Sequence, residues 1–188
     1  MTEQTKEYKM EKILMNTKDW KLIDQVRAGK NEGRDQLRNI NITADHIEAT
    51  NGRIAVRLNR AEVSIGEDAS KNGVYEIIVA KKYSKTLTEL ILERTKNVQY
   101  PDINKVWPDI SGKPTLNVLI TSEKKSTFNI TGIIIKLFEH TGNGYSLEYL
   151  RLLSHFDKTW CAYNMGKNRA VLLKDDKIQI LIMPFDIN

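Results

Sequence analysis

One order of elements is predicted twice in this chain, and this repetition constrains the fold more than any other feature of the sequence. In both stretches a strand pattern is followed by an amphipathic helix pattern and then by three short strand patterns. The repetition rests on the order of the elements and not on residue identity. Because short turns join the successive strands, the pattern predicts an α+β fold with antiparallel sheet rather than an alternating, parallel β-α fold.

The first occurrence fills roughly the first five dozen residues. Thr17 is the predicted N-cap of its helix, which continues through Ala28 and stops at Gly29. The Asn51-Gly52 pair stands between two alternating segments and is the strongest hairpin signal in the chain. Around that helix, the predicted strands are Ile13–Met15, Leu37–Thr43, His46–Thr50 and Arg53–Arg60.

The second occurrence fills the last six dozen residues, and further elements lie between the two. Gly73–Val79 and Leu116–Ile120 are predicted strands, and a helix is predicted from Ser84. Asn97–Pro114 holds three of the four prolines and is the predicted linker. The predicted elements of the second occurrence are a strand at Thr127–Phe138, a helix at Ser146–Phe156 and strands at Thr159–Asn164, Arg169–Lys174 and Ile178–Met183.

Composition excludes several classes of protein. The single cysteine, Cys161, excludes an intrachain disulfide and a four-thiolate zinc site. No apolar stretch approaches the length that crosses a bilayer, and the first residues lack the apolar core of a signal peptide. We therefore expect a cytoplasmic protein with no membrane partner. The net charge of +5 is compatible with an anionic partner.

The sequence offers no recognisable catalytic centre. The three histidines, His46, His140 and His155, are far apart in the chain and have no partners at zinc-ligand spacing. No acid–base pair stands out, so we expect no catalytic residue, no metal and no cofactor. The remaining enzymatic alternative is a hydrolase or nuclease centre at Asp175 and Asp176, which are first of all a turn signal.

Basic residues in and after the first helix suggest an anion-binding surface. Lys18 and Lys21 share one helix face, and Arg27, Lys30 and Arg34 extend the positive charge into the following loop. An ordinary solvated helix face is the alternative interpretation. The carboxylates that weaken the local field are Asp19, Asp24, Glu32 and Asp35.

Three stretches together resemble the bacterial DNA polymerase sliding clamp, the β processivity subunit. Leu37–Val56, which ends in Ala-Thr-Asn-Gly-Arg-Ile-Ala-Val, resembles the paired strands of a clamp domain. Tyr75–Leu90 followed by Gln99–Pro108 resembles a strand, a helix and the connector between clamp domains. The third stretch resembles the last clamp domain through Gly144–Leu150 and the Met-Pro within Ile180–Phe185.

The resemblance implies four segments. Residues 1–9 would be a disordered tail, 10–108 a trimmed counterpart of the middle clamp domain, and 109–127 a linker and strand. Residues 128–188 would match the end of the last domain. The implied fold has antiparallel sheets with helices on one face, built from β-α-β-β-β half-modules. Clamp chains have three domains, and this chain has about half their total length. Two strands expected before Tyr100 are missing from the pattern.

The resemblance also implies two binding surfaces and a non-enzymatic role in DNA replication or repair. Clamp helices face duplex DNA, which would place Lys18, Lys21 and Arg34 near phosphates and add Arg151 from the last helix. Clamps also bind peptides of replication and repair proteins in an apolar pocket between their last two domains. The positions that match this pocket are Arg53, Ile54, Pro108, Met183, Pro184 and Phe185.

The oligomeric state follows from the same resemblance. One chain with three predicted helices cannot close a ring around DNA, so a clamp would require a homo-oligomer joined through its sheet edges. A truncated adaptor that binds partner peptides without encircling DNA is the alternative.

Overall fold

Ten antiparallel strands of the described residues form one sheet. The computed structural model describes residues 10–29, 32–63, 71–120, 127–154, 156 and 158–185. The strands follow the order β1-β6-β5-β2-β3-β4-β10-β9-β8-β7 across the sheet. Their bounds are β1 Met10–Asn16, β2 Ile40–Ile42, β3 His46–Thr50, β4 Ile54–Asn59, β5 Gly73–Lys82, β6 Leu87–Arg94, β7 Thr115–Ile120, β8 Lys158–Asn164, β9 Val171–Lys174 and β10 Ile178–Ile182.

The helices lie on one face of this sheet, as predicted. Trp20, Leu22, Ile23 and Val26 of the first helix enter the larger hydrophobic core, and so do Ile133 and Leu137 of the third helix and Leu150 and Leu153 of the fourth. The described helices are α1 Thr17–Val26, α2 Arg60–Val63, α3 Thr127–Thr141 and α4 Leu147–Leu153. None of them is long and apolar enough to cross a membrane.

The first predicted helix is confirmed, with its start shifted by one residue. Asn16 is the N-cap, and its side chain accepts a hydrogen bond from the Lys18 backbone N–H at 3.0 Å. Thr17, the predicted cap, is instead the first helical residue, and its hydroxyl lies 3.0 Å from that of Thr88 in β6. The cap therefore joins α1 directly to β1, which pairs with β6 along its whole length.

A central pair of strands joins the early and late parts of the chain. β10 pairs with β4 in a five-residue register from Ile178 opposite Leu58 to Ile182 opposite Ile54. The ladder makes the sheet continuous. An ion pair crosses the same seam, because Lys177 Nζ lies 2.5 Å from Oδ2 of Asp19, a residue only 2% exposed. One sheet and one main core thus include both occurrences of the predicted pattern.

A second, smaller core covers the sheet face opposite the helices. Along β4 the side chains alternate, so that Ile54 and Val56 enter the larger core and Ala55 faces the other way. Ala55, Leu172 and Leu181 of the sheet are buried there against Ile103, which belongs to the proline-rich segment between β6 and β7 that we call the connector (residues 97–114). The connector therefore lies across the outer face of the sheet.

Two predictions of secondary structure are wrong. The helix expected from Ser84 is strand β6, in which Thr88, Leu90 and Leu92 are buried with a period of two. Leucine and glutamate favour helices, but pairing with β1 on one side and β5 on the other outweighs that preference.

The strand expected at Thr127–Phe138 is helix α3. Its isoleucines suggested a strand because β-branched side chains favour sheets. Ile130, Ile133, Leu137 and Thr141 are buried at helical spacing instead, and the helix packs on α4 and β8. The early half-module β1-α1-β2-β3-β4 thus has the predicted order of elements. Its first helix ends at Val26 rather than at Ala28, and the strand expected at Leu37–Thr43 is only Ile40–Ile42, because Leu37 and Arg38 lie in a 3-10 turn. The late one contains two helices, α3 and α4, after β7.

Candidate functional site

A groove on the outer face of the sheet lies where three distant parts of the chain meet. The Met183 backbone N–H donates to the carbonyl of Arg53 at 2.9 Å, directly after the β4–β10 ladder ends. Arg53, Ile54 and Met183, three residues of the predicted pocket, therefore lie side by side. The connector forms the opposite wall through Pro101, Ile103 and Val106.

The groove is open and largely apolar. Its volume is about 600 Å³, and Met183 and Val106 at its rim are 45% and 60% exposed. Exposed apolar side chains around a concave surface make the groove a candidate binding surface. The apolar residues that line it are Leu37, Ile54, Ala55, Pro101, Ile103, Val106, Leu181 and Met183.

The hairpin corner beside the groove is held by side-chain hydrogen bonds. The Asn51 side chain accepts from the backbone N–H groups of Arg53 and Ile54 at 2.9 and 3.1 Å. Thr50 accepts from the Gly52 N–H and donates to the Ile54 carbonyl. Gly52 has φ +88, and a Cβ there would overlap the guanidinium of Arg34. The predicted Asn-Gly turn is confirmed, and it fixes the Arg53–Ile54 corner.

A buried polar cluster attaches the connector to the sheet. Arg57 and Glu48, 7% and 3% exposed, form an ion pair of 2.7 Å on neighbouring strands. The Arg57 guanidinium also donates to the Asn104 side chain at 2.5 Å and stacks 4.2 Å from the Trp107 ring. The Trp107 indole N–H donates to Gln179 of β10 at 2.9 Å. The connector wall is therefore tied to both strands of the central seam.

Tyr100 closes the floor of the groove beside this cluster. Its hydroxyl lies 3.5 Å from the carbonyl of Glu48. Burial raises the pKa of the Tyr100 phenol, and the Glu48 carboxylate adds to the effect.

A second cavity of about 690 Å³ continues from the groove. The two share Lys105, Val106, Leu181 and Met183, and the second extends past Pro108 to Lys113 on one side and to Met165 and Arg169 on the other. Pro108, predicted for the pocket, lines this second cavity and not the groove itself.

The last two predicted pocket residues lie beyond both cavities. Pro184 and Phe185 line neither of them. The Phe185 N–H donates to the Gly144 carbonyl at 2.9 Å, and its side chain is 56% exposed. After Met183 the chain thus turns away from the groove towards the start of α4.

The predicted DNA-contacting residues are dispersed in the structure. Lys18 and Lys21 are exposed on α1, and Arg151 is exposed on α4. Arg27 is paired with Asp24 at 2.6 Å and donates to the Arg38 carbonyl. The Arg34 guanidinium donates to the Asn51 carbonyl at 3.3 Å and lines the groove. Lys30 lies outside the described residues.

The alternative of a catalytic centre gains no support from the geometry. Asp175 is paired with Lys158 and accepts from the backbone N–H groups of Lys177 and Ile178, as a turn residue does. Within the described ranges no three His, Cys, Asp or Glu side chains cluster as metal ligands. His155 lies outside those ranges.

Sequence reasoning missed several residues of the groove. Pro101 and Val106 stand in the connector stretch Gln99–Pro108 that carried the resemblance, so the motif itself could have indicated them. Leu37 and Leu181 also stand in stretches that carried the resemblance, Leu37–Val56 and Ile180–Phe185, but each looked like an ordinary strand residue.

Comparison with known proteins identifies the fold. No protein-family model matches the sequence, and no curated protein does. Among solved structures, the C. crescentus β sliding clamp matches all of this chain and 68% of its own, with a TM-score of 0.63 and 10% identity. The Helicobacter pylori β clamp bound to a DNA ligase peptide matches 96% of this chain, with a TM-score of 0.57 and 13% identity. The fold is that of a bacterial DNA sliding clamp in shortened form.

The length of the match supports this identification. The DNA polymerase III β subunit of Borrelia burgdorferi also matches the whole chain, with a TM-score of 0.56 and 13% identity. The clamp-like chain spans about two thirds of the length of each of these three clamps.

Proposed function

We propose that this protein is a non-enzymatic, clamp-like factor of DNA replication or repair that binds peptide segments of partner proteins in the groove. The single observation that carries the proposal is the hydrogen bond between Met183 and Arg53. It brings the hairpin corner and the end of β10 together beside an open apolar groove.

The groove has the features that an extended peptide requires. Ile54, Val106 and Met183 offer apolar contacts, and methionine adapts its shape to different side chains. The connector wall is held by Arg57 and Trp107, so the groove is formed before a partner arrives, which lowers the entropic cost of binding. The H. pylori clamp, which has the same fold, was solved with a DNA ligase peptide bound. These points support a peptide as the ligand.

Titration of a fluorescent peptide tests this proposal. The probe is the DNA ligase peptide that was solved with the H. pylori clamp, followed by fluorescence anisotropy. We expect Met183→Ala and Val106→Ala each to weaken binding by about tenfold, because each removes exposed apolar surface from the groove rim.

Ile78→Ala is the matched control for this titration. Ile78 is 40% exposed on β5 and lines neither the groove nor the second cavity, so its loss leaves affinity unchanged. Absence of binding by the unmodified protein at about 1 mM, the weak limit of specific affinity, would contradict the proposal.

We further propose that the α1 face contacts duplex DNA. Lys18 and Lys21 are exposed on this helix, on the opposite side of the sheet from the groove. A protein that neutralises phosphates releases counterions, so its affinity falls as salt rises. This arrangement would leave the groove free for a partner while DNA is bound.

The DNA contact is tested by binding of a labelled duplex at several salt concentrations. Lys18→Glu combined with Lys21→Glu is expected to weaken binding and to flatten its salt dependence. The matched control combines Lys82→Glu with Lys85→Glu at the β5–β6 turn. It changes the net charge by the same amount as the variant in α1, and we expect it to weaken duplex binding less. Peptide binding without any duplex binding would favour the adaptor alternative, in which the protein does not encircle DNA.

A further inference from the structure

Five positively charged side chains line the two cavities and form no ion pair with any other described residue. Arg34, Arg53 and Lys105 line the groove, and Lys113 and Arg169 extend the series along the second cavity. Among the described residues none of these five cations has a carboxylate within 4.0 Å.

In the part of the chain that the structure describes, two carboxylates line the same surface, and both accept hydrogen bonds from nearby backbone N–H groups. Asp102 accepts a hydrogen bond from the Asn104 backbone N–H at 3.1 Å, and Asp109 accepts one from the Ser111 backbone N–H at 2.9 Å. Each therefore caps its own turn. Five cations against two carboxylates leave the continuous surface with a positive excess.

The groove is the more apolar of the two cavities, although Arg34, Arg53 and Lys105 also line it. The groove is floored by Ile54, Ile103 and Leu181. Past Met183, the second cavity has fewer aliphatic side chains and carries Lys113 and Arg169 on its two sides. A chain that places apolar side chains in the groove would therefore carry its next residues between two exposed cations.

We propose that the partner segment is bipartite, with an apolar part that occupies the groove and an adjoining acidic part that occupies the second cavity between Lys113 and Arg169. This inference rests on the proposed peptide-binding function and specifies the chemistry of the partner. An acidic peptide fits better than nucleic acid, because the cations border an apolar groove on the sheet face opposite α1. Charge complementarity of this kind selects partners and speeds their association.

Extended versions of one peptide test the inference. The probes are the DNA ligase peptide of the H. pylori complex with four glutamates, four glutamines or four lysines added at either end. We expect the glutamate extension at one end to bind about three- to tenfold more tightly than the glutamine extension, as two exposed ion pairs allow. The lysine extension should bind more weakly, and the differences should shrink at about 0.5 M salt.

Charge reversal in the second cavity locates the effect. Lys113→Glu combined with Arg169→Glu should abolish the gain from glutamate and leave the affinity of the unextended peptide nearly unchanged. Lys82→Glu combined with Lys85→Glu, which alters net charge equally outside both cavities, should preserve the gain.

The outcomes distinguish this inference from the function on which it rests. If the unextended peptide does not bind, the proposed function fails and the inference fails with it. If it binds but glutamate and glutamine extensions are equivalent, only the inference is overturned. A gain that survives the Lys113 and Arg169 reversal also overturns it, as does displacement of the glutamate extension by a DNA duplex that leaves the unextended peptide bound.

Discussion

Gly52 controls the hairpin corner at the scale of a single residue. Its φ of +88 belongs to the left-handed region, where any other L-residue is strained, and its missing side chain leaves room for the Arg34 guanidinium. Arg34 in turn donates to the Asn51 carbonyl at the rim of the groove. One glycine therefore sets both the turn and the position of a cation.

Gly52→Ala should lower stability and also weaken peptide binding. The strained φ is expected to cost about 1–2 kcal/mol in the free energy of unfolding, and the displaced Arg34 should reduce affinity. Urea denaturation and peptide anisotropy measure the two effects. Gly142→Ala is the control, since Gly142 also has a positive φ of +71 but has open space around it, away from the groove. Equal peptide affinity in the two variants would show that Gly52 serves the fold alone.

Two basic residues show that the sequence does not reveal whether a positive charge is free to bind an anion. Arg27 and Lys18 looked equivalent as phosphate ligands, yet Arg27 is paired with Asp24 and stacks 5.7 Å from the Trp20 ring, whereas Lys18 is exposed. The difference depends on a neighbour one helical turn away and on a carbonyl from the following segment. Spacing along the chain does not report such contacts.

At the scale of elements, the fold could be predicted where local signals and tertiary pairing agree. The β3–β4 hairpin has both an Asn-Gly turn and alternating strands, so its position is as predicted. In β6 and α3 the local sequence preference and the tertiary packing disagree. Leu-Thr-Glu-Leu-Ile favours a helix but is paired on both sides, and the isoleucines of α3 favour a strand but pack on α4 and β8.

For the candidate site too, the sequence predicts the parts that have a local signal and misses those that depend on tertiary contacts. Arg53, Ile54 and Met183 were indicated because the resemblance to sliding clamps matches these positions to the clamp pocket. The second cavity was not, because it depends on how the connector crosses the sheet through Arg57, Asn104 and Trp107. No local signal reports that path.

Breaking the ion pair between α1 and the β9–β10 turn should destabilise the protein strongly. Lys177→Met leaves the Asp19 carboxylate buried without its partner, for which we expect a loss of about 3 kcal/mol in unfolding free energy. Adding Asp19→Asn should recover much of that loss, because the uncompensated charge disappears. Urea denaturation of both variants measures this. Equal losses in the single and double variants would refute a role for the buried charge.

At the scale of the whole molecule, β1 and β7 are the two outermost strands of the sheet that the described residues form. Within those residues β1 pairs only with β6 and β7 only with β8, which is the arrangement that a homo-oligomer joined through sheet edges would use. A closed clamp built from this chain requires several copies, because one copy has too few helices to surround a duplex. The adaptor alternative requires only one copy.

The molar mass in solution distinguishes these two forms. For a ring, light scattering should give a multiple of the 21.6 kDa chain mass that stays constant across micromolar concentrations. A mass of one chain throughout that range would rule out a closed ring and leave the adaptor form.

The origin of the groove walls has a consequence for biosynthesis. Leu37, Pro101 and Met183 face one another, although they belong to early, middle and late parts of the chain. During translation, a nascent segment that ends before Met183 therefore lacks one wall of the groove. If the groove receives partner segments as proposed, such capture must wait until the ladder between β4 and β10 has formed.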